Sequence, residues 1–211
     1  MTPSEQFAQR RIGLTGGIAS GKSSVGCWLA QQGLPVLDAD EFAREALAPG
    51  KEATKTVLQR YGAIVQAKVE AEADAAIDRT ALGHIVFQDA VERQWLEQLI
   101  HPIVRERFDQ ALTLHIKAPA IVLMIPLLFE AGLESMCSEI WLVDCDESQQ
   151  LQRLIVRDGL SPDAAQARIA AQWPLSLKRT LADHVICNQG KPYAWHQQAR
   201  ALLAMNATGE L

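Results

Sequence analysis

The residues best suited to chemistry form one short run, Gly16-Gly17-Ile18-Ala19-Ser20-Gly21-Lys22-Ser23. It fits the pattern G-x-x-x-x-G-K-[ST], whose parts answer to a polyphosphate. Glycines let the backbone curl so that its N–H groups face phosphate oxygens. A helix starting at the lysine adds its positive end. Lys22 supplies a mobile charge for the β- and γ-phosphates, and the Ser23 hydroxyl is placed to ligate Mg²⁺. At average residue frequencies a chance match in a chain of this length is roughly 1%. Ala19 takes a position that is often glycine in such loops. Alanine disfavours positive φ, so the expectation is an ordinary φ there.

Other acids and bases fall at suggestive places. Asp38 and Asp40 follow the apolar run Leu34–Leu37. If the chain stays extended there, alternation puts both carboxylates on one side. One of them is suited to orient an attacking hydroxyl or take its proton. The competing reading has Asp40 capping the next helix, with Asp38 serving structure or a metal-bound water. Asp144 ends the run Ile140–Val143, as a Mg²⁺-assisting acid does and as many strand-ending aspartates also do. Glu130 reads equally as a helix-start charge or a site group. Arg153 and Arg157 share a helical face and Arg168 lies on the following helix. They suit a lid that covers a triphosphate, because a guanidinium binds phosphate oxygens in pairs; the alternative is solvated charges paired with Asp158 and Asp163. His101 before Pro102 reads by itself as a helix-boundary residue, and the five tryptophans are dispersed and read as core.

These groups need a scaffold. Arg11–Thr15 reads as a buried strand and Lys22–Gln32 as a helix, with Val25, Trp28 and Leu29 on one face and Gly33 as stop. Leu34–Leu37 reads as a second strand, followed by a helix to about Leu47 and a break at Pro49-Gly50. Residues 51–117 look mostly helical in pattern, with a helix starting at Pro102 and running to about His115. Ala120–Ile125 and Glu139–Asp144 read as strands, 147–157 as a helix, and Ser161-Pro162 as the capped start of another that ends near Pro174. His184–Cys187 is a last short strand and a terminal helix begins near Tyr193. Five strands separated by helices predict an α/β fold, a five-stranded parallel sheet flanked by helices.

Composition narrows the class. The chain has 211 residues, 48% apolar and 21% charged, enough for a sizeable core. A net charge of −5 argues against a surface built for nucleic acid or anionic membrane. The apolar stretch Ala118–Phe129 is too short to cross a bilayer, and residues 1–11 lack the apolar middle of a secretion signal. Four cysteines with no C-x-x-C pair read as reduced thiols of a cytoplasmic protein. No N-K-x-D element or D-x-x-G switch marks a regulatory GTPase. A small kinase fits the size; a nucleotide-binding module without transfer activity is the rival.

Several motifs, in order, resemble the dephospho-coenzyme A kinase family. They are Gly13 to Ser23, Asp38-Ala39-Asp40 with Ala43-Arg44, Asp78-Arg79-x-Ala81-Leu82, Ile85-Val86-Phe87, His101-Pro102, Ile125 to Glu130, Gln152-Arg153, Arg157-Asp158 and Asn188-x-Gly190. The resemblance implies transfer of the γ-phosphoryl group of ATP, with Mg²⁺, to the ribose 3′-hydroxyl of dephospho-coenzyme A. The same-class alternative is another small-molecule P-loop kinase. The resemblance further implies a P-loop kinase core (1–50, 118–146, 175–211), a helical acceptor-binding insertion (51–117) and a helical lid (147–174), in a monomer or weak homo-oligomer. By motif match Asp40 takes the base position beside Lys22. Gly17, Ala19, Ser20, Gly21, Lys22, Ser23, Ser24, Arg157 and Asn188 contact the nucleotide, with Ser23 on the metal. Arg44, Arg79, His101 and Arg105 match an acceptor-binding region. Departures are Ala19 for glycine, His184 and Cys187 where acids are frequent, and an alanine-rich 66–77 segment without the usual Asp-Gly turn.

Overall fold

The computed structural model describes residues 9–67, 75–190 and 193–205. These divide into two compact units, one from 1–38 with 115–211 and one from 39–114. The expected insertion started at 51; the second unit starts at Ala39 and so takes in the helix that carries Asp40.

The first unit holds five strands, β1 (Arg10–Gly16), β2 (Val36–Asp38), β3 (Ala120–Met124), β4 (Glu139–Asp144) and β5 (His184–Cys187). All pair in parallel, in the order β2-β3-β1-β4-β5. The continuous apolar runs form such strands because helices cover both faces. Ile12, Leu14, Val122, Trp141, Val143 and Ile186 are buried and pack with Val25, Trp28 and Leu29 of α1 (Lys22–Gln31). The spacing of those three residues is what turns α1 onto the sheet. Because β1 lies between β3 and β4, the chain leaves its carboxyl end at the point where strand order reverses. Ligands of open α/β sheets collect at that edge.

Four further helices complete this unit: α6 (Glu147–Asp158), α7 (Pro162–Ala170), α8 (Leu175–Leu181) and α9 (Trp195–Ala204). Ser161 caps α7 by accepting from the Ala164 N–H, with Pro162 in the first turn. Helix α7 stops at Ala170 rather than near Pro174, and α8 is a separate helix that the sequence reading left out.

The second unit is helical: α2 (Ala39–Ala46), α3 (Glu52–Tyr61), α4 (Arg79–Gln88) and α5 (Ala90–Leu114). Its one β feature among the described residues is an isolated bridge between Gln66 and Ile77. Residues 68–74 of the alanine-rich segment lie outside the described residues. Helix α5 does not begin at Pro102 but runs through it. Proline inside a helix removes one hydrogen bond and costs about 3 kcal/mol. Ile100, Val104, Phe108 and Leu112, four apart, are all buried along α5 and offset that cost. Phe108 meets Phe42 of α2 edge-on at 5.0 Å.

Candidate active site

The phosphate loop connects β1 to α1, as the motif requires. Gly21 takes φ 99°, and a Cβ there would come 2.2 Å from Nδ2 of Asn188, so only glycine fits without displacement. A Cβ on Gly16 would meet the Val143 carbonyl oxygen at 2.8 Å, which is backbone and cannot yield. Ala19 has φ 58°, contrary to the expectation of an ordinary φ. An L-residue in that region costs roughly 1–2 kcal/mol.

What holds the strained turn is a set of side chains on the loop's carbonyl oxygens. Gln150 Nε2 donates to Ile18 O at 2.7 Å. Arg153 Nη1 donates to Ala19 O and Ser20 O, each at 3.3 Å, and its Nη2 donates to Asn188 O at 3.0 Å. Asn188 Nδ2 donates to Ser20 O at 2.7 Å. Three successive carbonyls are thus occupied from α6 and from the end of β5. The loop then enters α1, whose first amides have no acceptor within the helix. Helix α1 has no side-chain cap and no acid in its first turn, so no residue of its own neutralises its positive end. Lys22 is buried to 9% exposure at that end, while Ser23 and Ser24 are exposed.

Arg153 therefore braces the loop backbone. Arg157, one turn on, pairs with Asp158 through Nε and Nη2 at 2.7 and 3.0 Å, and Arg168 reaches the same carboxylate at 3.2 Å. These bonds hold the Asp158 carboxyl below its ordinary range. Of the predicted nucleotide residues outside the loop, Asn188 is brought to it and Arg157 stands at the end of α6 with Asp158.

Asp144 is buried at the end of β4. Its Oδ2 accepts from Arg179 Nε at 2.9 Å, and its Oδ1 is buried with no hydrogen-bond partner among the described residues. No group of three or more His, Cys, Asp or Glu there is arranged to hold a metal. A hydroxyl at Ser23 and an unmatched carboxylate oxygen at Asp144 fit a hard cation that arrives with phosphate oxygens and water as its other ligands.

Sequence reasoning missed the residues behind the loop. Gln150 is buried beside Leu154 on the inner face of α6, and a polar residue at an apolar-face position was the available signal. Gln172, between α7 and α8, accepts from the Ile18 N–H at 2.8 Å. Lys178 is fully buried and pairs with Glu130 at 2.7 Å. A cleft of about 200 Å³ opens beside the loop, lined by Gly17, Cys145, Gln150, Gln172, Leu175 and Arg179. Burial pushes the Cys145 thiol up to about 11 and Cys137 to about 12, so neither is a reactive thiolate near neutrality.

In the second unit, α2 begins immediately after Asp38. The chain is helical rather than extended at Asp40, so strand alternation does not align the two carboxylates. Asp40 is exposed and is the second residue of the helix. Arg79 Nη2 donates to the Arg44 carbonyl at 3.0 Å, which brings those two together. His101 and Arg105 are exposed and one turn apart on α5. None of these four lines this unit's cavity of about 280 Å³, which sits among Phe42, Glu45, Lys51, Ile103 and Arg107.

The dephospho-CoA kinase family (CoaE) matches residues 10–193. A dephospho-CoA kinase of Synechococcus sp. (strain CC9605) is 76% identical over the whole of both chains. One of Prochlorococcus marinus (strain MIT 9313) is 59% identical over 92% of this chain and 95% of its own. The solved dephospho-CoA kinase from Campylobacter jejuni superposes with a TM-score of 0.68 at 26% identity, covering 94% of this chain and 98% of that one. A match across nearly the full length, at identity this high, leaves no other assignment: the chain belongs to the dephospho-CoA kinase family.

Proposed function

We propose that this chain transfers the γ-phosphoryl group of ATP to the ribose 3′-hydroxyl of dephospho-coenzyme A, completing coenzyme A. The observation that carries the reading is the amino end of α1, which has no side-chain cap and no acid in its own first turn, with Lys22 buried there, below a loop whose carbonyls are turned onto Gln150, Arg153 and Asn188. Such an arrangement suits an anion.

In this reading Lys22 and the loop amides bind the triphosphate and absorb charge that develops on the transferred group. Gly17, Ala19, Ser20, Gly21, Ser23 and Ser24 line it. Arg157 exchanges its partner Asp158 for the nucleotide, and Asn188 fixes the loop edge. Ser23 would hold magnesium, with Asp144 available to its water shell; the ion would supply positive charge against the phosphate oxygens. Asp40 orients the acceptor hydroxyl and takes its proton. Arg44, Arg79, His101 and Arg105 receive the anionic acceptor, because exposed arginines and an imidazole on flexible side chains adapt to a phosphate ester. The 147–174 segment covers the donor as a lid. Reaction rate then comes mainly from positioning.

No described helix is long and apolar enough to cross a membrane. The chain works in the cytoplasm, as a monomer or weak homo-oligomer, which sedimentation of the purified protein tests. The reaction itself is tested by following ADP release with dephospho-coenzyme A beside adenosine, AMP and pantetheine phosphate. Magnesium-dependent ADP release with dephospho-coenzyme A is expected. Faster release with one of the others assigns a different acceptor.

A further inference from the structure

The buried polar groups around α8 have no role in the mechanism above, yet they converge on the phosphate loop. Glu130 Oε1 accepts from the Trp173 N–H at 3.0 Å and pairs with Lys178 at 2.7 Å. Lys178 also donates to the Pro126 carbonyl at 3.4 Å, which accepts from Thr15 Oγ1 at 3.1 Å. Trp173 is thereby pinned through its backbone. The residue before it, Gln172, is the one whose side-chain oxygen takes the Ile18 N–H. On the other side of the same residue, Gln150 takes the Ile18 carbonyl. Both peptide groups flanking Ile18 are held by glutamine side chains, one residue ahead of the left-handed Ala19.

We propose that Gln172 is a positioning residue for ATP: with Gln150 it clamps Ile18 from both sides, and the buried Glu130–Lys178 pair anchors it. A loop with alanine at a left-handed position has extended alternatives that lower the strain. Two amide–carbonyl bonds at Ile18 exclude those alternatives before the nucleotide arrives. Binding then meets a preformed cradle rather than ordering one. The buried pair suits an anchor, since an ion pair lacking one partner is far less stable than the intact pair. Because the clamp acts on the loop's shape, its loss weakens ATP binding. It leaves the chemical step at saturating ATP largely intact, since Gln172 touches no reacting atom.

The test is Gln172→Met, which keeps length and removes the acceptor. The control is Gln9→Met, which removes two 2.7 Å bonds to the His115 and Ala118 carbonyls at the amino end of β1, the end away from the loop. Gln172→Met is expected to raise KM for ATP roughly fivefold, the equivalent of one net hydrogen bond, with kcat and the acceptor KM within about twofold. Gln9→Met is expected to change none of the three by more than about twofold. An ATP KM within about twofold of the parent in Gln172→Met overturns the proposal, as does an equal rise in Gln9→Met. A second measurement needs no variant: the Ile18 amide of the wild-type protein is expected to be protected from hydrogen exchange without nucleotide. Exchange at the unprotected rate overturns the clamp. The inference rests on the phosphate-loop reading, and the two fail differently. Absence of ATP-dependent turnover in the wild-type protein removes that reading, whereas normal turnover with an unchanged KM in Gln172→Met removes only the clamp.

Discussion

The phosphate loop and the predicted acceptor residues use polar side chains in opposite ways. Around the loop, Gln150, Arg153, Gln172 and Asn188 are spent on backbone atoms, and Lys22 is buried at the helix end. In the second unit Arg44, Arg79, His101 and Arg105 are exposed, and a hydrogen bond joins two of them, Arg79 to the Arg44 carbonyl. The first arrangement has lost its conformational freedom on folding; the second keeps it. On the proposed roles, the difference teaches where each substrate's binding cost is met: the donor would meet a finished cradle, and the acceptor would have to order the side chains that receive it.

The sharpest way to break that contrast is at Lys22. Lys22→Ala is expected to lower turnover by about 10³-fold, in the range seen when a charge-stabilising group is removed. Circular dichroism should show the fold retained. Activity within tenfold of the parent removes the loop from the mechanism. Next in size is Asp40→Asn, expected to lower kcat by about 10²-fold or more. Because Asp40 is exposed, stability should stay within about 0.5 kcal/mol. Calorimetric ATP affinity should move by less than about twofold. A melting defect with normal kcat would return Asp40 to a helix-end role.

Two arginines on one face of α6 sharpen the contrast further. Arg153→Met removes three bonds to backbone carbonyls and is expected to raise ATP KM about tenfold and cost about 1 kcal/mol of stability. Arg157→Met removes only a surface pair with Asp158, so it should raise ATP KM without a measurable change in melting temperature. Equal effects on stability would mean that the loop does not depend on its brace. In the second unit, Arg79→Ala is expected to raise the acceptor KM about fivefold and leave ATP KM unchanged, since it removes the charged contact proposed for the acceptor together with the bond to the Arg44 carbonyl. Steady-state kinetics with each substrate varied separately checks all three variants.

The same contrast explains what could be read before the structure. The loop, its flanking strand and α1 were legible because the glycine spacing and the Val25, Trp28, Leu29 face each have one physical solution. The five strands were legible as apolar runs. Less legible was anything decided by tertiary contact. Pro102 signals a helix start by local rules, yet the buried face of α5 carries the helix through it. Ala19 takes positive φ because side chains distant in sequence hold its neighbours. Asp40 seemed aligned with Asp38 only while the strand was assumed to continue. Gln150, Gln172 and Lys178 carry no motif, and their importance lies in which backbone atoms they reach. Short α8 was invisible because Leu-Ser-Leu-Lys-Arg-Thr-Leu buries a lysine, the reverse of the usual pattern.

The smallest expected effect lies wholly in the second unit and tests whether its exposed charges contribute to its own stability. Glu92 of α5 accepts from Arg60 Nε and Nη2 at 2.7 and 2.8 Å and from the Tyr61 hydroxyl. Those hydrogen bonds, Arg60's first, hold its carboxyl down to about 2. A carboxyl with a depressed folded value stabilises the protein above the unfolded value near 4.3 and loses that contribution as pH falls towards 2. Arg60 also lies over the Trp95 ring at 4.4 Å, a contact that does not titrate in this window. Melting temperature measured between pH 5 and pH 2 should therefore fall more steeply in the parent than in Glu92→Gln. The difference should be small, because solvent screens an exposed pair. Parallel curves would mean that this ion pair contributes nothing to the unit, and that its apolar contacts, among them the Val57, Val65, Ile77 and Leu82 core, carry its stability.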